Sequence, residues 1–248
     1  KKAPFFKDIV FYEKEFDGVM PLEIVVDTKR PKCALKSVTL KRIEELQETI
    51  IEIPELSKPV SIVNLVKYSK QAYYNGNPEF YELPTKQEEA FILSYIKNST
   101  QKGNENMLKS YVDSTGQYAR ITTFMRDIGT DKMQKIEERL QDKINHIFPK
   151  ERYEVSLTGK AYVFEKGTHY LIDNLVQSLL FAIVLISLLM AYMFRSFKMI
   201  IVSLLPNILP LVMTAGLMGF LGIPIKPSTI LVFSIAFGIS VDDTIHFL

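Results

Sequence analysis

The sequence predicts an α+β domain, a split β-α-β sheet packed by helices, followed by an all-α bundle of transmembrane helices. Three observations carry this expectation. Charge is dense up to about Gly167, and from Asn174 onward the only acidic or basic residues of the Asp, Glu, Lys and Arg class are Arg195, Lys198, Lys226, Asp242 and Asp243. That late part holds apolar runs of about 20 residues, enough to cross a ~30 Å hydrocarbon core. The early part mixes stretches of period-2 alternation with stretches of helical apolar spacing, the signature of strands and helices sharing one core. The composition shift sets the domains at 1–168 and 169–248.

The stretch 21–27 (PLEIVVD) alternates and is rich in β-branched residues, so it is expected to be a strand; 38–51 then repeats Leu40, Ile43, Leu46 and Ile50 at helical spacing. Ser61 stands as a cap before Ile62, Leu65, Val66 and Tyr73, and a further helix is expected at 86–97 after Pro84. These helices read as insertions on a core unit. Segments 108–112 and 117–126 flank the loop 113–116 (DSTG), which predicts a hairpin. A strongly amphipathic helix over 131–148 places Met133, Ile136, Leu140, Ile144 and Ile147 toward a core, and 153–157 supplies a closing strand. Strand, helix, inserted helices, two strands, helix and strand is an order that suits a split β-α-β sheet.

After Thr158 and Gly159 a helical stretch from Ala161 leads into the first expected membrane helix, about 172–194. The second is expected at about 199–221 and the third at about 228–248, truncated. Turns this short make neighbouring helices antiparallel. The turn with Arg195 and Lys198 carries two positive charges and the turn with Lys226 one, so the positive-inside rule puts the former in the cytoplasm and residues 1–168 outside it. The chain opens at Lys1 and ends at Leu248 inside an apolar run, and it is expected to be a piece of a longer protein.

A net charge of +2 without a basic stripe argues against nucleic acid as a partner. The single cysteine, Cys33, excludes an internal disulfide and a multi-cysteine metal site. No metal-ligand spacing, nucleophile motif or phosphate-binding glycine loop occurs in residues 1–168, so no cofactor, no metal and no catalytic residue is expected. His146 and His169 lie far apart in sequence, and Arg126, Asp127 and Asp131 suit a solvated helix start. The domain is read as a binding or conduit element.

Chemistry concentrates in the last apolar run. An ionised carboxylate near a membrane helix centre costs about 2.5 to 3.5 kcal/mol, and Asp242 and Asp243 are adjacent. Counting from Thr229, Asp242 lies roughly 20 Å down the helix, past the midplane but inside. Protonation, a basic or hydroxyl partner, or a water-filled cavity would each resolve the cost, and each makes the pair responsive to protons. Ser234, Gly238, Asp242 and His246 recur at i, i+4 on one face, with Ser234 and Gly238 permitting close helix packing and His246 a proton acceptor one turn on. Pro206 and Pro210 each remove a backbone hydrogen bond from the preceding helix and mark a hinge candidate.

With these elements placed, the chain resembles the RND (resistance-nodulation-division) exporters, in the MMPL-like and Patched-like branch related to sterol-sensing-domain proteins. The residues that carry the likeness are Leu157-Thr-Gly159, Phe194-Arg-Ser-Phe197, Pro206-Asn-Ile-Leu-Pro210 and Gly238-Ile-Ser-Val-Asp-Asp-Thr-Ile-His246. The resemblance implies that residues 1–168 are a periplasmic porter-like domain and that the three helices are the second to fourth of one half of a bacterial inner-membrane exporter. It implies that Asp242 and Asp243 take up and release protons to drive porter motion, with Gly238 as the motif glycine. Implied partners are membrane lipids, a hydrophobic or lipid substrate, protons, the second half of the same transporter and, as an option, a second copy. A secondary transporter is then expected, not an enzyme.

Two other classes compete with this expectation. A non-transporting lipid or sterol sensor, or a protein-export accessory, would use the same helices without proton flux. An intramembrane aspartyl protease needs two carboxylates converging on one water, yet adjacent helical residues diverge by about 100°.

Overall fold

In the computed structural model the described residues are 4–16, 18–101, 108–126, 128–194, 197–223 and 227–247. Some side chains within helices, those of 97–101, 202–204 and 241–247 among them, fall outside the description. The chain divides into two compact units, Lys1–Val163 and Phe164–Leu248.

In the first unit the elements are α1 (Pro4–Glu15), β1 (Met20–Asp27), α2 (Ser37–Ile51), β2 (Val60–Ser61), α3 (Ile62–Tyr73), α4 (Glu89–Gln101), β3 (Tyr118–Met125), α5 (Thr130–Ile147) and β4 (Glu154–Thr158). The sheet order is β2-β3-β1-β4 and every neighbouring pair is antiparallel. It follows that β3 and β4 are parallel, joined through α5 and split by β1, while β1 and β2 are parallel, joined through α2 and split by β3. This is the double split β-α-β arrangement of ferredoxin-like folds. Helices α3 and α4, with a 3-10 turn at Pro78–Phe80 between them, interrupt what would otherwise be a β2-β3 connection.

Alternation makes the core. One face of β1 buries Leu22, Ile24 and Val26, and the matching face of β3 buries Ala119, Ile121, Thr123 and Met125. Register places Ile24 opposite both Ile121 and Leu157, so three strands meet at one apolar layer. Leu40, Ile43, Leu46 and Ile50 of α2 and Met133, Ile136, Leu140, Ile144 and Ile147 of α5 are buried in the same cluster. Their spacing is the helical stripe visible in the sequence. On the other face of the sheet Glu23 and Arg120, cross-strand neighbours, approach to 3.7 Å.

Ser61 caps α3 as expected. Its hydroxyl accepts from the Val63 amide at 3.1 Å, and Asn64 Oδ1 accepts from the Ser61 amide at 2.9 Å. Gln47 of α2 donates to the same Asn64 oxygen at 2.8 Å, so the cap also ties α3 to α2. Gly159, of the Leu157-Thr-Gly159 sequence, has φ +96°, and a Cβ there would stand 2.6 Å from the Pro21 carbonyl oxygen and 2.9 Å from the Glu23 nitrogen. Only glycine allows the chain to leave β4 so close to β1.

Three local expectations differ from what forms. Helix α1 was not expected. The first arm of the predicted hairpin is a helical turn at 108–109, and Val112 makes only an isolated bridge to Ala119. The reason is the Asp113 carboxylate, which accepts from the amides of Thr115, Gln117 and Tyr118 and closes the loop on itself. Helix α4 begins at Glu89, three residues after the expected start, because Glu88 folds back to accept from the Thr85 amide and hydroxyl, both at 2.9 Å.

The remaining helices are α6 (Lys160–Phe194), which enters the second unit, α7 (Phe197–Phe220) and α8 (Pro227–Phe247). Among the described residues one stretch, Lys160–Leu188 with mean hydropathy 2.1, is long and apolar enough to cross a membrane. The apolar stretches of the other two, Leu205–Phe220 and Leu231–Ser240, are shorter. Ile186 of α6 and Phe237 of α8 form a small buried cluster against which Leu179, Ala182, Ile183 and Leu211 pack.

Candidate functional site

The site singled out by the sequence lies on α8. Ser234 and Gly238 are both exposed on that helix, and nothing lies within 4 Å of where a Cβ on Gly238 would be. Asp242, Asp243 and His246 belong to the helical backbone of α8, and their side chains lie outside the described residues. The turn residues Arg195, Ser196 and Lys226 lie outside them as well. Pro206 and Pro210 stand inside α7, which continues through both.

What the fold brings together beside that site is a polar contact the sequence reading gave no role. Asn207, between the two prolines, is 2% exposed, and Ser240 Oγ donates to its Oδ1 at 2.5 Å. The hydroxyls of Ser178, Ser187 and Thr214 turn back onto carbonyls of their own helices, the ordinary solution where water is scarce. Ser240 reaches across to another helix. The sequence signal was there: Asn207 is the only side-chain amide in the apolar run 200–221.

At the head of α6 the Glu165 carboxylate is buried, and His169 Nε2 stands 3.2 Å from its Oε1 at i,i+4. Thr168, buried between them in sequence, donates to the Phe164 carbonyl at 2.8 Å.

In the α+β unit the strongest electrostatic feature is Lys70 of α3, 2% exposed, with Nζ 3.0 Å from Glu82 and 3.0 Å from Glu88. Burial alone would lower the Lys70 pKa, but the hydrogen bonds to both carboxylates outweigh it and the pKa is raised. Tyr74 donates to Glu88 at 2.8 Å. The Thr85 amide, then Lys70, Tyr74 and the Thr85 hydroxyl hold Glu88 down at about 2 against the desolvation that opposes them. The network fastens α3 to the start of α4, with Lys70 buried and Glu82 at its exposed edge. An open cleft of about 390 Å³ beside Cys33 is edged by Lys29, Arg30, Lys36 and Arg152. Among the described residues no group of three or more His, Cys, Asp or Glu is placed to hold a metal ion.

The first unit is an α+β domain with a double split sheet, and the chain continues into apolar helices of which one is long and apolar enough to cross a membrane. The profile of the MMPL family matches residues 84–245, about two thirds of the chain, and the chain belongs to that family. MMPL proteins are membrane proteins and transporters of the RND type, not enzymes. No curated protein matches the chain.

Proposed function

We propose that this chain is part of a proton-driven exporter of lipids or other hydrophobic molecules, with Asp242 and Asp243 as the proton-coupling carboxylates. The observation that carries the reading is that the family match runs through residue 245 and so takes in both aspartates on a helix whose preceding residues are apolar. In this reading α6, α7 and α8 each cross the bilayer, and residues 1–168 lie on the periplasmic side of a bacterial inner membrane. The charges of Arg195 and Lys198 against Lys226 support that orientation.

Protonation of either carboxylate removes the cost of a charge in lipid and biases a two-state bundle, and the outer domain follows that bias. One charge moved across 100 mV supplies about 2.3 kcal/mol, so a few protons suffice for a steep gradient. His246 would pass protons one turn further on, Ser234 and Gly238 would admit a neighbouring helix from the transporter's second half, and Pro206 and Pro210 would let α7 bend.

The test is transfer of a fluorescent lipid out of vesicles holding the full-length protein, with and without a protonophore. Transfer that stops when the gradient collapses supports the proposal. Transfer or lipid binding indifferent to the gradient would overturn it in favour of a lipid sensor.

A further inference from the structure

The cleft beside Cys33 lies within the α+β unit, between the loop that follows β1 and the turn that precedes β4. Register pairs Asp27 with Glu154 at this end and Glu23 with Thr158 at the other, so the cleft stands at the opposite end of β4 from the one that leads into α6. Its volume of about 390 Å³ falls in the range of small-molecule sites, roughly 300 to 1,000 Å³. Four basic side chains edge it, Lys29, Arg30, Lys36 and Arg152, against one acidic side chain, Glu151. Elsewhere on the unit basic residues find carboxylates, as Lys67 does with Glu44 and Arg139 with Glu52. Among the described residues no ion pair or side-chain hydrogen bond engages Arg30, Lys36 or Arg152. Lys29 Nζ donates to the Lys150 carbonyl at 2.8 Å, a neutral acceptor that leaves its charge uncompensated. Like charges gathered around a concavity raise the local potential, and an anion relieves it.

The walls are held in place before any ligand arrives. The Thr28 hydroxyl donates to the Arg30 and Gln117 carbonyls, both at 2.9 Å, and the Lys32 and Ala34 amides donate to the Thr115 and Gly116 carbonyls at 3.0 and 2.9 Å. Lys29 has φ +55°, a region that glycine or asparagine enters at lower cost, so backbone preference does not account for a lysine there. Thr39, 2% exposed, and Tyr153 bring their hydroxyls to 3.2 Å of each other in the lining. Two hydroxyls joined by one hydrogen bond keep one proton to donate elsewhere. Lys36 caps the 15-residue α2 without a side-chain acceptor, so the first amides of that helix add donors at the same edge. A carboxylate has two oxygens for this many donors, whereas a phosphate has three or four.

We propose that this cleft binds a phosphate group, with Arg30 and Arg152 as guanidinium donors, Lys29 and Lys36 as point charges and the spare hydroxyl proton as a neutral donor. The group belongs to a soluble phosphorylated solute or to a phospholipid headgroup, which share this chemistry. The inference is independent of the export reading and of α8.

Cys33, half-buried in the same cleft, reports occupancy. Full-length protein in a maltoside detergent is alkylated with iodoacetamide, and modification of Cys33 is timed by mass spectrometry at constant ionic strength. Glycerol 3-phosphate and water-soluble dihexanoyl phosphatidylglycerol are each compared with sodium chloride alone. A phosphate probe should slow Cys33 alkylation saturably. Half-saturation should rise about tenfold in Arg30→Gln and in Arg152→Gln, the loss of one charge-assisted hydrogen bond. Lys58→Gln, which removes an exposed positive charge outside the cleft, should leave it unchanged. Stronger protection by glycerol 3-phosphate assigns a soluble solute, and stronger protection by the lipid assigns a headgroup. Alkylation as fast with both probes as with chloride, or half-saturation unchanged in both arginine variants, overturns the proposal.

Discussion

Replacing Glu88 by glutamine tests the electrostatic argument for the α+β unit most sharply. In the folded protein Glu88 is held at about 2 against an ordinary 4.5, first by the Thr85 amide and then by the Lys70, Tyr74 and Thr85 side chains. Each pKa unit is worth about 1.4 kcal/mol, so the shift corresponds to about 3.5 kcal/mol at neutral pH, an upper figure for a side chain that keeps some contact with water. A depressed carboxylate stabilises the fold above its unfolded pKa. That stability is lost as pH falls from about 4.5 through about 2. Glu88→Gln also leaves the Lys70 ammonium, 2% exposed, with only Glu82, whose side chain is 64% exposed. Lys70→Met removes the buried ammonium but leaves Glu88, 17% exposed, without its cationic partner, and so destabilises the unit as well. The assay is hydrogen exchange of α3 and α4 in detergent, followed by mass spectrometry. Glu88→Gln should lower the opening free energy by about 2 to 3 kcal/mol at pH 7, and the difference should shrink toward pH 2. Equal protection of wild type and Glu88→Gln at pH 7 would refute the reasoning.

Two further substitutions probe the backbone. Gly159→Ala should destabilise the α+β unit by at least about 2 kcal/mol, since it adds left-handed strain to a backbone collision, and thermal unfolding by circular dichroism would show it. Ser61→Ala should cost about 1 kcal/mol by denaturant unfolding, because the buried hydroxyl that accepts from the Val63 amide is lost.

The parts of the fold legible in the sequence are those set by local periodicity. Strand 21–27, helix 38–51 and the amphipathic helix before β4 follow from where Leu, Ile and Val recur, and the Ser61 cap follows from one polar residue ahead of an apolar stripe. Long-range polar contacts left no such trace. Lys70 looks like one more solvated lysine on α3 until Glu82 and Glu88, distant in sequence, close over it. Residues 108–112 carry strand-forming residues, but Asp113 closes the loop through three amides, and such a carboxylate has no periodic signature. At the candidate site the cost of charge in lipid drew attention to Asp242 and Asp243 without structural help. Asn207 has no periodic signature, and its partner Ser240 lies on a different helix.

The central claim is that Asp242 and Asp243 couple proton movement to export. Its most direct test is proton flux into liposomes holding the full-length protein under an imposed pH gradient, with a lipid substrate present, for wild type, Asp242→Asn and Asp243→Asn. The account predicts that either substitution abolishes flux while the protein still inserts and folds. Equal flux in all three would contradict it.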